Sequence, residues 1–324
     1  MEPSFDSVEN ASISPVEMCT YENLGQKYLF PKFSIVLDKR TYTFSKLIHG
    51  GTTKQDTSVS LYTDGDNEAQ LVVKTLSHDE GTRELWAIRK VNEVRKTIGP
   101  AMVRAMILQE AEQDHTHPLT PANYSVVIMP YRGQPLTRLD AQSRRLSILV
   151  TQAVFRAIHQ LFNHGLAYTD IKSMNVVHLI TPDGKTHLTL CDYGSIEEVG
   201  ASTGCATYPP PESPYGTGVV ADERALCYGV GVLLATLSEP LVEKNLRYMD
   251  KPVGKKRKTR SELPASDQMH KQCKKTLEVL EAKDHLVADL VRFAWETTTS
   301  LSDLGGALKF AIRGLRPRGA FGPP

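Results

Sequence analysis

Tyr168-Thr169-Asp170-Ile171-Lys172-Ser173-Met174-Asn175-Val176, with Asp192-Tyr193-Gly194 downstream, places an acid, a base, an amide and a second acid at short, fixed offsets. Residues 143–162 before it carry helical periodicity. Residues 176–180 and 187–190 read as strand arms around the turn residues Pro182-Asp183-Gly184. The acid, base and amide therefore lie in a loop between a helix and a hairpin, and the second acid lies just beyond that hairpin. Transfer of a phosphoryl group needs such a set. One carboxylate orients and deprotonates a hydroxyl, a cation stands against the transferred group, and oxygen ligands hold magnesium.

Upstream of the stretch the periodicity is mostly that of strands. Residues 33–37, 42–48, 59–62, 71–76 and 124–129 alternate or run apolar, with a turn at Asp64-Gly65-Asp66-Asn67. A helix is expected over 82–98, ended by Gly99-Pro100. At about 100° per residue, Glu84 shares a face with Ala87, Ile88, Val91, Val94 and Ile98, whereas Glu93 lies opposite. Pro130-Tyr131-Arg132-Gly133 breaks the strand order and reads as a hinge. Downstream, helices are expected over 143–162, 221–237, 271–295 and 302–313. The expected organisation is a flexible tail over 1–30, a small β-rich lobe over 31–131, a larger helical lobe over 132–313 and a loose tail over 314–324.

These motifs, in this order, resemble the protein-kinase superfamily. The loop is similar to His-Arg-Asp-Leu-Lys-x-x-Asn and Asp192-Tyr193-Gly194 to Asp-Phe-Gly. Gly204-Cys205-Ala206-Thr207-Tyr208-Pro209-Pro210-Pro211-Glu212 resembles the segment that closes an activation loop, and Val72-Val73-Lys74 the Val-Ala-Ile-Lys strand. The resemblance implies an α+β, bilobal fold and an ATP- and Mg2+-dependent enzyme acting on protein hydroxyls. It makes Asp170 the catalytic base, Lys172 the cation at the γ-phosphate, Lys74 the ligand of the α- and β-phosphates, and Asn175 and Asp192 the magnesium ligands. Glu84 is taken as the ion-pair partner of Lys74; the plainer alternative is an acid that charges the first turn of a surface helix. By register Gly50 and Gly51 would cover the phosphates, and Val59 and Val72 would line the adenine pocket. Met129 would be the gatekeeper, with the Pro130 carbonyl and the Arg132 amide as hinge hydrogen-bonding groups. Lys172 favours serine and threonine substrates, since tyrosine kinases of this fold usually carry Ala-Ala-Arg there.

The departures from the family pattern carry their own expectations. The phosphate-covering loop, residues 48–59, holds only Gly50 and Gly51, which favours a pseudokinase acting as a binding or scaffold module as the alternative. Thr169 replaces the arginine that docks a phosphorylated activation loop, so activity is expected without phosphorylation of Ser195, Ser202 or Thr203. Leu226 stands where a helix aspartate normally anchors the loop, with Asp222 the nearest acid, and no arginine partner for Glu212 is found near Thr299-Ser300. Such divergence resembles the serine/threonine kinases of large DNA viruses, the herpesvirus type in particular. A small-molecule phosphotransferase of the same architecture is the third reading.

Composition sets the outer bounds. A net charge of +1 and 40% hydrophobic residues describe an ordinary globular chain, with no bias toward nucleic acid or an anionic membrane. No apolar run spans a bilayer and the N-terminus lacks a signal-peptide pattern, so an intracellular protein is expected. The five cysteines are scattered and never spaced as Cys-x-x-Cys, and free thiols are expected. Lys255-Lys256-Arg257-Lys258, within Lys251 to Arg260, is the one dense basic run, read as a solvated loop between helices or as a signal for a nuclear-import receptor, a docking site for acidic substrates or a nucleic-acid contact.

Overall fold

The computed structural model describes residues 12–13, 17–23, 26–37, 39–50, 58–65, 69–98, 111–115, 124–136, 144–180, 186–203, 208–213, 219–246 and 265–315. The chain divides into two compact units. The first comprises Met1–Lys96 and Ile107–Arg132, the second Gly133–Pro324 and Thr97–Met106. Gly51, residues 204–207, the basic run 255–258 and the turn at 182–184 lie outside the described residues.

The first unit is an antiparallel meander with one helix. Its strands in chain order are β1 (Ser12–Ile13), β2 (Glu17–Asn23), β3 (Gln26–Lys32), β4 (Ser34–Leu37), β5 (Arg40–Gly50), β6 (Ser58–Asp64), β7 (Gln70–Ser77), β8 (Ala111–His115) and β9 (Tyr124–Pro130). Helix α1 (His78–Ile98) follows β7 directly and starts four residues earlier than the sequence periodicity suggests. Seven strands form one sheet in the order β1-β4-β5-β6-β7-β9-β8, and β2 and β3 pair separately as a hairpin with Asn23 opposite Gln26. Over Glu17–Asn23 and Gln26–Lys32 that hairpin corrects the expectation of a tail over residues 1–30, since Thr20, Tyr21, Tyr28 and Phe30 favour extended chain in spite of the neighbouring Pro and Ser. Strand β8 was also not foreseen, because its sequence Ala-Glu-Gln-Asp-His lacks apolar alternation.

Alternation sorts the residues of this sheet onto two faces. Tyr62, Leu71, Val73, Val126 and Ile128 point to one face and join Phe33, Ile35, Leu37 and Tyr42 in a buried apolar cluster. Phe33 and Phe44 pack on the Tyr62 ring at 5.4 and 6.0 Å between centroids. Pairing of Val59 with Lys74, Leu61 with Val72, Lys74 with Val127 and Val72 with Met129 puts the other set on the opposite face.

The second unit is mainly helical. It contains β10 (Gln134–Pro135), α2 (Arg144–Asn163), β11 (Leu166–Tyr168), β12 (Val176–Ile180), β13 (Thr186–Leu190), β14 (Ile196–Glu198), β15 (Ser202–Thr203) and β16 (Val219–Val220). After these come α3 (Glu223–Ser238), α4 (Leu241–Leu246), α5 (Ala265–Glu281), α6 (His285–Trp295) and α7 (Leu301–Gly314). Helix α3 is buried from Ala225 to Leu237, as a helix apolar on all sides must be. Gly231 is required there: a Cβ would come within 2.6 Å of Trp295 Nε1, whose N–H donates to the Tyr228 carbonyl at 3.2 Å. At the start of the unit Gly133 has φ +99°, and a Cβ would lie 1.8 Å from the His178 carbonyl oxygen.

The single helix expected over 271–295 is two. It breaks at residues 282–284, where the Asp284 carboxylate accepts from the amides of Leu286 and Val287 and caps α6. An aspartate at an N-cap outweighs the continuous helical periodicity on either side of it. Cys191, Cys227 and Cys273 are free thiols, and no helix of the described residues is long and apolar enough to cross a membrane.

Candidate functional site

In the first unit, the helical wheel and the strand register meet at one ion pair. Lys74 on β7 and Glu84 on the first turns of α1 are 2.5 Å apart, Nζ to Oε2, with 9% and 2% of their surfaces exposed. Two charges this deep need partners, and each is one for the other. Glu93, by contrast, is exposed and pairs with Lys90 within the same helix. Val59, Val72 and Met129, on the same sheet face as Lys74, are each half-buried, so this face offers apolar surface beside a cation. Gly50 ends β5 opposite Ser58, Pro130 ends β9 opposite Leu71, and the Tyr131 amide donates to the Gln70 carbonyl at 3.0 Å. Arg132, half-buried, is the last residue of this unit.

In the second unit the loop from Thr169 to Asn175 gathers the other candidates. Lys172 Nζ donates to Asp170 Oδ2 at 2.5 Å. Asn175 Nδ2 donates to the same oxygen and to the Asp170 carbonyl, both at 3.0 Å. Asp170 is thus a buried carboxylate oriented by a cation and an amide. Ile171, between them, packs on α3: a Cβ on Gly229 would meet its Cδ1 at 3.0 Å. With Leu226 fully buried where the family pattern has an anchoring aspartate, this contact is apolar, and Asp222 instead caps α3 through the Ala225 amide at 2.8 Å.

Asp192 has φ 66° and ψ 65°, the left-handed region that costs a non-glycine residue roughly 1 kcal/mol or more. Its neighbours hold it there. The Tyr168 hydroxyl, fully buried, donates to the Cys191 carbonyl at 2.6 Å, and the Cys191 amide donates to the Asn175 carbonyl at 2.9 Å. Burial first, and then the nearby Cys191, Asp192 and Asp170, hold the Tyr168 phenol well above its ordinary range, so it stays a neutral donor. The Thr169 amide and hydroxyl both donate to the Ser195 carbonyl, at 3.2 and 3.0 Å, and β11 pairs with β14.

Farther along, Glu212 has a partner that the sequence did not disclose. Arg224, in the first turn of α3, grips it with two nitrogens; the Nη2 to Oε2 distance is 3.2 Å. The guanidinium also donates to the Ala294 carbonyl at 3.4 Å and lies 5.6 Å from the centroid of Tyr228, which stacks on Trp295. A cation in a helix's first turn opposes the macrodipole unless a carboxylate meets it, and that was the available signal. Tyr208 packs in the same cluster with Tyr228 and Val232.

The donor set suits magnesium rather than a softer ion. Asn175 and Asp192 carry hard oxygens, and hydrogen bonding of Asn175 Nδ2 to Asp170 turns the amide oxygen the other way. Among the described residues no cluster of three or more His, Cys, Asp or Glu is arranged to hold a metal. A cation held by these two side chains would draw its remaining ligands from water and phosphate.

No protein-family model and no curated relative matches the sequence. Solved structures do. Vaccinia related kinase 3 is 13% identical, over 86% of this chain and 89% of that one, with a TM-score of 0.55. The kinase domain of Mycobacterium tuberculosis PknI is 17% identical, over 83% and 94%, with a TM-score of 0.50. The likeness shows the fold: an antiparallel β unit followed by a mainly helical one, as in protein kinases.

Proposed function

We propose that this chain, with its protein-kinase fold, is a serine/threonine protein kinase that transfers the γ-phosphoryl of ATP to protein hydroxyls. The observation that carries the reading is Asp170, a buried carboxylate held at one oxygen by Lys172 and Asn175. So held, it can accept the proton of a substrate hydroxyl while Lys172 stands beside it as a cation. Lys74, kept in place by Glu84, would bind the α- and β-phosphates, and Val59, Val72 and Met129 would take the adenine. Magnesium, held by Asn175 and Asp192, would offset phosphate charge when bound.

Independence from activation-loop phosphorylation is part of the proposal. Thr169 ties the segment to the loop through the Ser195 carbonyl, and β14 and β15 pair with β11 and β16, so residues 196–203 are ordered by backbone bonds without a phosphate. The pseudokinase reading is favoured by one observation, the two-glycine loop at Gly50-Gly51. The narrower likeness to herpesvirus-type kinases, protein partners and nuclear import through Lys255–Lys258 rests on the sequence alone.

Phosphotransfer from ATP and Mg2+ to a generic protein substrate tests the reading. Asp170→Asn and Lys74→Met are each expected to lower the rate by about 100-fold or more. Equal signal from both variants and wild type would remove the catalytic reading in favour of the scaffold.

A further inference from the structure

Helix α7 buries one stripe and leaves a second stripe that its own fold does not account for. Leu301, Leu304, Leu308 and Ala311 face inward, and Gly305 permits close packing, since a Cβ there would lie 2.8 Å from the Phe155 ring on α2. Gly306 has no such neighbour. A Cβ at that position would meet nothing within 4 Å beyond the adjoining backbone, although a glycine inside a helix is less stable than an alanine. One turn later stands Phe310, 79% exposed, more than any other large apolar side chain among the described residues. Asp303, Gly306, Phe310 and Arg313 are all exposed, and at about 100° per residue they fall within about 80° of one another. Their spacing of three, four and three residues is that of a coiled-coil seam.

This stripe can meet a second copy of itself in two directions. In a parallel pair each residue faces its equivalent, so Asp303 and Arg313 would each stand against a like charge and the two Phe310 rings would compete for one place. In an antiparallel pair about a twofold axis, Phe310 lies over Gly306 of the second copy and Asp303 lies opposite Arg313 of the second copy, and each contact occurs twice. The glycine gives the ring room to settle, and both seam charges meet their opposites. Asp303 is ready for a guanidinium, because the Ser300 hydroxyl donates to its Oδ2 at 2.6 Å and holds the carboxylate in place. We infer that the outer face of α7 is a contact between two copies of this chain, antiparallel, with Phe310 seated on Gly306. About three turns of helix bury less than the roughly 800 Å² per partner of a standard interface, and the exposed Lys309 at the flank comes near its own copy, so the association is weak, with Kd about 10–100 μM. None of these residues is among the groups assigned above to nucleotide, magnesium or acceptor.

The test is sedimentation equilibrium of the full chain from about 5 to about 500 μM, with thermal unfolding alongside. The apparent mass is expected to climb from that of one chain toward that of two. Phe310→Ser and Gly306→Gln are each expected to raise Kd about tenfold or more. Gly306→Gln is also expected to raise the melting temperature, because its side chain meets open space within one copy and glutamine suits a helix better than glycine, so stability and association move in opposite directions. Asp303→Lys and Arg313→Asp are each expected to stay monomeric alone and, when mixed, to associate within about threefold of wild type, each charge then meeting its opposite. If loss of the Ser300 cap unfolds Asp303→Lys, Phe310→Ser and Gly306→Gln carry the test. Wild type that remains one chain at every concentration overturns the inference. So does a dimer that either Phe310→Ser or Gly306→Gln leaves as strong as wild type, and so do folded charge variants that stay apart when mixed.

Discussion

Glu84 and Glu212 are both carboxylates gripped by a cation, one in each unit, and they are gripped in opposite ways. Glu84 meets Lys74 across ten residues of sequence, deep in the first unit, Nζ to Oε2, with almost no solvent. Glu212 meets Arg224 with two nitrogens at a site where its own side chain is 40% exposed. The lysine and glutamate of the first pair are held by a strand and the helix that follows it directly, which leaves little freedom over which residues can meet. The second pair needs only that a guanidinium reach a loop, and a helix terminus can supply one from a different place than the family pattern suggests. An ion pair buried on both sides is fixed in position. One that stays half in water can change its partner.

Breaking the buried pair is expected to have the largest effect. Glu84→Gln takes the Glu84 counter-charge from the buried Lys74 ammonium and is expected to cost about 3–5 kcal/mol of unfolding free energy, measured by urea denaturation. A loss below about 1 kcal/mol would show that the ammonium finds water, and would erase the contrast with Glu212.

The second pair is expected to give way more cheaply. Arg224→Gln should lower stability by about 1–2 kcal/mol, because solvent reaches Glu212 and compensates part of the loss. The exchange Glu212→Arg with Arg224→Glu tests whether the interaction is the pair itself. A double variant less stable than either single variant would show that the Ala294 carbonyl and the Tyr228 ring, which require a cation at position 224, dominate instead.

The smallest expected effect separates the units by pH. Burial pushes the Cys227 thiol up to about 12 from 9.0, and it also raises the Cys273 thiol and the Tyr168 and Tyr228 phenols, all four in the second unit. A raised acid binds its proton more tightly when folded. Its contribution is therefore complete below the unfolded value, near 9 for the thiols, and is lost as pH climbs toward the folded one. Stability should fall by about 1 kcal/mol between pH 8 and 9.5, with amide exchange rising first in α3 rather than in β7 and α1. Uniform loss in both units would mean that this burial is not what sets the alkaline limit.

Much of the site was legible because it depends on short spacings. Asp170, Lys172 and Asn175 share one loop, so their mutual contacts follow from a few residues of chain, and helical geometry alone set Glu84 rather than Glu93 inward. The break at Asp284 was not, because an aspartate within a run of helical periodicity reads as one more polar position until its side chain is seen to accept from the Leu286 and Val287 amides. Arg224 was not, since nothing local tells which carboxylate answers a cation at a helix N-terminus. Nor was the bond from the Tyr168 hydroxyl to the Cys191 carbonyl on the far side of a hairpin.

The sequence by itself determined the succession β4 to β7, α1 and β9, the loop chemistry and the face on which Lys74, Val59, Val72 and Met129 stand, because periodicities of two and 3.6 residues are properties of the chain, whereas the β2–β3 hairpin, β8 and the α5–α6 break needed the structure. Tertiary structure alone decided which distant groups meet: Tyr168 for the Cys191 carbonyl and Thr169 for the Ser195 carbonyl, Arg224 for the half-exposed Glu212, and Gly229 as the apolar seat of Ile171. Burial removes water as a partner, and the substitute is whichever group the folded chain brings within reach, however distant in sequence.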